Sequence, residues 1–97
     1  MKKRIGVHVL GSDCNTLLTR IQDIERLGIH AAWLPTGSGP LDSVTLFAVA
    51  AARTKTIVLG TSIVPTYPRH PIVAVQQVNV LNQVAPGRVV FGIGSSH

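Results

Sequence analysis

Apolar residues in this chain fall into two alternating patterns. Short, nearly continuous apolar runs occur at RIGVHVL (Arg4 to Leu10), AAWL (Ala31 to Leu34), IVLGTSIV (Ile57 to about Val64) and RVVFGI (Arg88 to Ile93). Runs of this length, apolar on both faces and rich in β-branched residues, predict buried parallel strands. Between them the apolar positions are spaced as on a helix. Leu17, Leu18, Ile21, Ile24 and Leu27 form the first such stripe, with Ser12, Asp13 or Asn15 available to cap its start and Gly28 where a left-handed residue ends a helix. The second, VTLFAVAAAR, puts Leu46, Phe47, Ala50 and Ala51 on one face behind a cap at Asp42 or Ser43. The third runs from Pro71, at a first helical position, to about Val84. Its expected buried stripe is Ile72, Val75, Val78 and Leu81, with Gln76, Gln77, Asn79 and Asn82 on the wetter sides, and Pro86-Gly87 ends it.

The predicted order is β-α-β-α-β-α-β, with strand starts near Ile5, Ala31, Ile57 and Val89 spaced by 26, 26 and 32 residues. That is the period of a repeated βα unit with parallel strands. Two α/β architectures fit: a small doubly wound sheet with helices on both faces, or the first half of a (β/α)8 barrel with all helices outside. A nucleotide-binding doubly wound domain carries glycine-rich phosphate chemistry after its first strand, and here that loop reads GSDCNT. The Gly92-x-Gly94 pair comes late, at the end of strand four, and lacks a third glycine.

Composition narrows the function classes. With 45% hydrophobic and 13% charged residues in 97, the chain is one apolar domain, residues 1–97. Nine Lys and Arg against four Asp and Glu give a net charge of +5. Beyond Lys2, Lys3 and Arg4 the basic residues are scattered and aromatics are few, so no nucleic-acid partner is expected; a small anionic ligand fits the charge. Cys14 is alone and has no cation beside it in sequence, which argues for a reducing compartment and against a nucleophile. The longest apolar run, Leu46 to Ala52, is too short to span a bilayer, and His8 and Gly6 interrupt the start as a leader. No membrane association and a cytoplasmic location are expected.

Two segments carry a family resemblance: TSIVPTYPRHPIVAVQQ, from Thr61 to Gln77, and APGRVVFGIGSSH, from Ala85 to His97. With WLP at Trp33 to Pro35, they resemble the amino-terminal part of the bacterial luciferase-like family of flavin- or deazaflavin-dependent oxidoreductases. The similarity spans the whole chain and is greatest to the branch using the deazaflavin coenzyme F-420, with FMN as the alternative cofactor. It implies a TIM (β/α)8 barrel with the cofactor ring across the carboxyl ends of the strands, and hydride transfer to or from a small organic substrate. A barrel takes about 250 residues, so the expected domain is a half, truncated after strand four. Its two unpaired edges favour a homo-oligomer. A flavin monooxygenase and, in another class, a catalytically silent half-barrel assembly module are the rival readings.

The resemblance also places candidate site residues. In the family, strand three carries a bulge, often with a non-prolyl cis peptide, that backs the cofactor ring; the matching positions are Thr61, Ser62 and Ile63. The alternative there is a strand with a small-residue kink. Gly94, Ser95, Ser96 and His97 follow strand four, where backbone N–H groups and hydroxyls would hold polar groups of a cofactor; capping of a following helix is the alternative. His8 in mid-strand one approaches the cofactor if it faces the barrel interior, and is otherwise a hydrogen-bonded core residue. Arg69 and His70 read as a helix start and Tyr67 as a loop anchor. Many family members have an acidic residue and a His after strand two, where this chain has Thr36 and Gly37, so no catalytic acid or base is carried over. His8, His30, His70, His97 and Cys14 show no metal-ligand spacing.

Overall fold

A computed structural model describes residues 5–34, 41–65 and 71–94, with backbone alone at 62–65, 93 and 94. The elements are β1 (Gly6–His8), α1 (Cys14–Arg26), β2 (Ala31–Leu34), α2 (Ser43–Arg53), β3 (Val58–Pro65), α3 (Pro71–Val84) and β4 (Val89–Gly94).

The first two helices start with the same device. Asp13 accepts from the Thr16 backbone N–H at 3.0 Å and from its hydroxyl at 2.6 Å, and Asp42 does the same with Thr45 at 2.9 and 2.6 Å. Each Asp-x-x-Thr box satisfies an orphan amide of the first turn. The Thr16 hydroxyl, then its N–H, hold the Asp13 carboxyl below the usual aspartate range. At the other end of α1, Gly28 takes φ 77°, as the left-handed closing residue must.

All four strands are parallel and lie in the order β1-β2-β3-β4. Gly6 pairs with Ala31, Ala31 with Val58, and Leu59 with Val89, so each strand sits beside the next in sequence. Right-handed connections between sequential neighbours put every helix on one face. Accordingly α2 packs against both α1 and α3. A doubly wound sheet requires helices on both faces, so this is the wall of a (β/α)8 barrel.

The core lies between sheet and helices. Phe47 and Ile21 are fully buried there, against Leu59, Ile57, Ala32 and Leu34 from the strands. Two expectations for the helices need correction. Leu27 is 77% exposed, and on α3 Ile72 and Val75 are 63% and 58% exposed while only Leu81 is buried. The reason is position. α1 and α3 flank the wall, each with α2 on one side among the described residues, so a stripe that helical spacing marks as apolar has no layer to pack under. α3 has no charged residue, so its sequence cannot say which of its apolar sides meets the sheet.

At the amino ends of the strands two charged side chains lock the units together. One Glu25 oxygen accepts from the amides of Lys55, Thr56 and Ile57 at 2.8, 2.9 and 3.1 Å. Burial opposes the charge on Glu25, but the three N–H bonds and the Arg88 charge outweigh it and keep the carboxyl below the ordinary glutamate value of 4.5. A depressed folded pKa stabilises fully above the unfolded value and is lost as pH falls through the folded one. Glu25→Ala is therefore expected to cost about 1–2 kcal/mol near neutrality. By urea titration, its deficit against wild type should be flat above about pH 6 and shrink below about pH 4.5; a deficit that does not change with pH contradicts this assignment.

Candidate functional site

The strands of a barrel wall have an outer face toward the helices and an inner face toward the barrel axis. Val9, Ala32, Leu34, Ile57 and Leu59 belong to the helix-side core, and Val89 and Phe91 pack against it. Strand alternation then assigns Gly6, His8, Ala31, Trp33, Val58, Gly60, Val90 and Gly92 to the inner face. Half of these carry no side chain larger than a methyl. His8 is exposed on this face, in register with Trp33, so it is not a buried core histidine.

Trp33 dominates the inner face. A Cβ at Gly6 would lie 2.8 Å from its Cδ1, and one at Gly60 would lie 2.5 Å from its Cε3. The pyrrole edge therefore lies over β1 and the benzo edge over β3, so that the indole crosses three strands. The two glycines are what let it lie this close to the backbone. The sequence expectation omits Trp33 from the site. Its signal was the glycine on either neighbouring strand, but only the register brings them beside it.

Toward the carboxyl end, β3 and β4 fall out of step. Thr61 pairs with Phe91 and Val64 with Ile93, so β3 has one extra residue between the two pairs. This is a β-bulge, at the positions where the sequence led us to expect one. Thr61 closes the gap it leaves. Its hydroxyl accepts from the Gly92 N–H at 2.8 Å and donates to the Gly92 carbonyl at 3.0 Å, so one side chain takes both ladder bonds of the residue opposite. Thr61 is buried, with its hydroxyl engaged twice. No peptide bond is cis among the described residues, in contrast to the expectation for this strand.

Gly94 ends β4 beside Pro65, at the same end of the sheet as the bulge. The side chains of Ser62 and Ile63, and Ser95, Ser96, His97, Tyr67, Arg69 and His70 altogether, lie outside the described residues. His30 is exposed where the chain leaves α1, and Cys14 is exposed at the start of that helix. Among the described residues no three His, Cys, Asp or Glu side chains are grouped to hold a metal. No described helix is long and apolar enough to cross a membrane. An open hollow of about 310 Å3 lies between the β1 edge and α1, lined by Val7, His8, Val9, Arg20, Asp23 and Ile24 among others.

Chemically, this inner face is a nearly flat, glycine-rich surface with one large aromatic platform, an exposed imidazole and a bulge at its rim. It offers stacking area and, among the described residues, no nucleophile or carboxylate pair.

Comparison with known proteins agrees with this architecture. The chain is 41% identical over 64 residues to an F-420-dependent glucose-6-phosphate dehydrogenase of Beutenbergia cavernae, covering 65% of this chain and 19% of that protein. It is 30% identical over 96 residues to limonene 1,2-monooxygenase of Rhodococcus erythropolis, covering 90% and 25%. The coenzyme F-420-dependent tetrahydromethanopterin reductase of Methanopyrus kandleri superposes with a TM-score of 0.84 at 24% identity, covering 100% of this chain and 28% of that one, which shows the fold. The chain thus spans about a fifth to a quarter of the length of these curated relatives. The luciferase-like monooxygenase family model matches residues 3–97, and this chain belongs to that family.

Proposed function

We propose that the chain forms the amino-terminal wall of an oxidoreductase that moves a hydride between the deazaflavin coenzyme F-420 and a small organic substrate. The observation that supports this choice of cofactor most directly is the 41% identity to the F-420-dependent dehydrogenase. The inner face fits a planar ring: the Trp33 indole lies flat over Gly6 and Gly60, and the β3 bulge lies at the carboxyl-end rim of the same wall. Bound there, the deazaflavin would supply hydride chemistry of its own, which accords with the lack of a nucleophile or paired carboxylates among the described residues of this face.

The chain's part in that reaction is to bind and orient. The β3 bulge at Thr61, Ser62 and Ile63 backs the ring, and Gly94, Ser95, Ser96 and His97 hold polar groups of the cofactor. Exposed His8 lies within the same face. The partner is a small molecule, and a homo-oligomer would cover the wall's free edges.

A second reading, a monooxygenase using FMN, is favoured by the 30% identity to limonene 1,2-monooxygenase across 90% of the chain. Ultrafiltration of the protein with each cofactor separates the two. Preferential retention of coenzyme F-420 is expected, whereas tighter binding of FMN would reverse the assignment.

A further inference from the structure

The inner face suits a planar cofactor, yet its side chains differ greatly in what they can offer one. The Trp33 side chain reaches across three strands, and it is only half-buried. Because Gly6 and Gly60 let one face of the indole lie on the backbone, its other face points toward the barrel axis. Its height is also set. Trp33 pairs with Gly60, one residue before Thr61, where the bulge begins. One strand residue rises about 3.3 Å along the strand, so a planar ring laid across the strand ends and backed by the bulge would meet the rim-side edge of the indole.

We propose that Trp33 is a binding residue for the tricyclic ring of the cofactor, a platform that meets the ring from below and limits how deep into the barrel it can go. This rests on the reading of the inner face as a deazaflavin or flavin site, and it adds a contact residue that neither the bulge nor the segment after β4 supplies. The competing role for Trp33 is packing, as one of the layered side chains that fill a barrel interior without touching ligand.

Trp33 is the only tryptophan in the 97 residues, so its emission reports on it alone. Titration of the protein with coenzyme F-420, and separately with FMN, should quench that emission in step with the bound fraction measured by ultrafiltration. Acrylamide quenching of the wild-type protein should fall when the cofactor is bound, because the rim side of the indole is covered. Trp33→Leu should weaken binding about tenfold and Trp33→Phe by less, the loss expected for one edge-to-face aromatic contact. Cofactor that binds while Trp33 emission and acrylamide access stay unchanged, or a Trp33→Leu variant that binds as tightly as wild type, would overturn the platform and leave the proposed function standing. If neither cofactor is retained, both readings fall.

Discussion

Replacing Arg88 with alanine is expected to destabilise the fold by about 3 kcal/mol. The guanidinium donates from one nitrogen to the Thr54 hydroxyl and the Ile57 carbonyl, both at 3.1 Å, and from the other to the carbonyls of Ala51 and Thr54 at 3.2 and 3.3 Å. Two of these acceptors are end carbonyls of α2, which have no partner within the helix. A positive charge there also suits the negative end of the helix dipole. Truncation removes four charge-assisted bonds at once and leaves half-buried carbonyls to find water. Arg88→Lys should recover less than half of the loss, because an ammonium cannot present two parallel forks to acceptors on two elements. Denaturant unfolding of the three proteins decides the matter. A lysine variant as stable as wild type would mean that charge alone, and not the fork, holds the joint.

The second large effect is expected on the opposite side of the sheet. Gly60→Ala introduces a methyl where the Trp33 benzo ring already lies, 2.5 Å from Cε3 and 2.9 Å from Cη2. The ring must move, at a cost of about 1–3 kcal/mol. In a Trp33→Ala background the same substitution meets no ring, and alanine is the better strand residue, so the cost should vanish or reverse. The coupling energy of this double-mutant cycle, about 1–3 kcal/mol, measures how firmly the indole is pressed on the strand. Additive effects would place Trp33 elsewhere. Gly60→Ala should also shift the emission of Trp33 even where the protein remains folded, since it lifts the indole without removing it.

These two sites show what could and could not be read from the chain. Helix three, Pro71 to Val84, and strand two, Ala31 to Leu34, were legible to the residue, because a proline start, a Pro-Gly stop and a short apolar run are local signals. The caps were legible as a choice among neighbours, and the structure selects Asp13 and Asp42 since each has a Thr three residues on. β1 is shorter than the apolar run suggests. Val9 still donates to the Trp33 carbonyl at 2.9 Å, but Leu10 has no such bond and is 66% exposed. Strands apolar on both faces do not reveal which side faces the helices, so the inward placing of Trp33 and His8 could not be read from alternation. Glu25 and Arg88 were equally hidden. Their partners are about thirty residues away in sequence, and nothing local marks an isolated charge as structural.

The hydroxyl of Thr61 stands in for main chain at the one place where the ladder is out of step. Its contribution is therefore counted in lone pairs and protons, not in volume. Valine, almost identical in shape and just as suited to a strand, would leave Gly92 with both its backbone groups unmet, whereas serine would keep them. At this position the usual currency of a buried strand is inverted: the spectrum of tolerated residues is narrow and set by polarity, whereas at Leu59, two residues earlier and fully buried, it is set by volume.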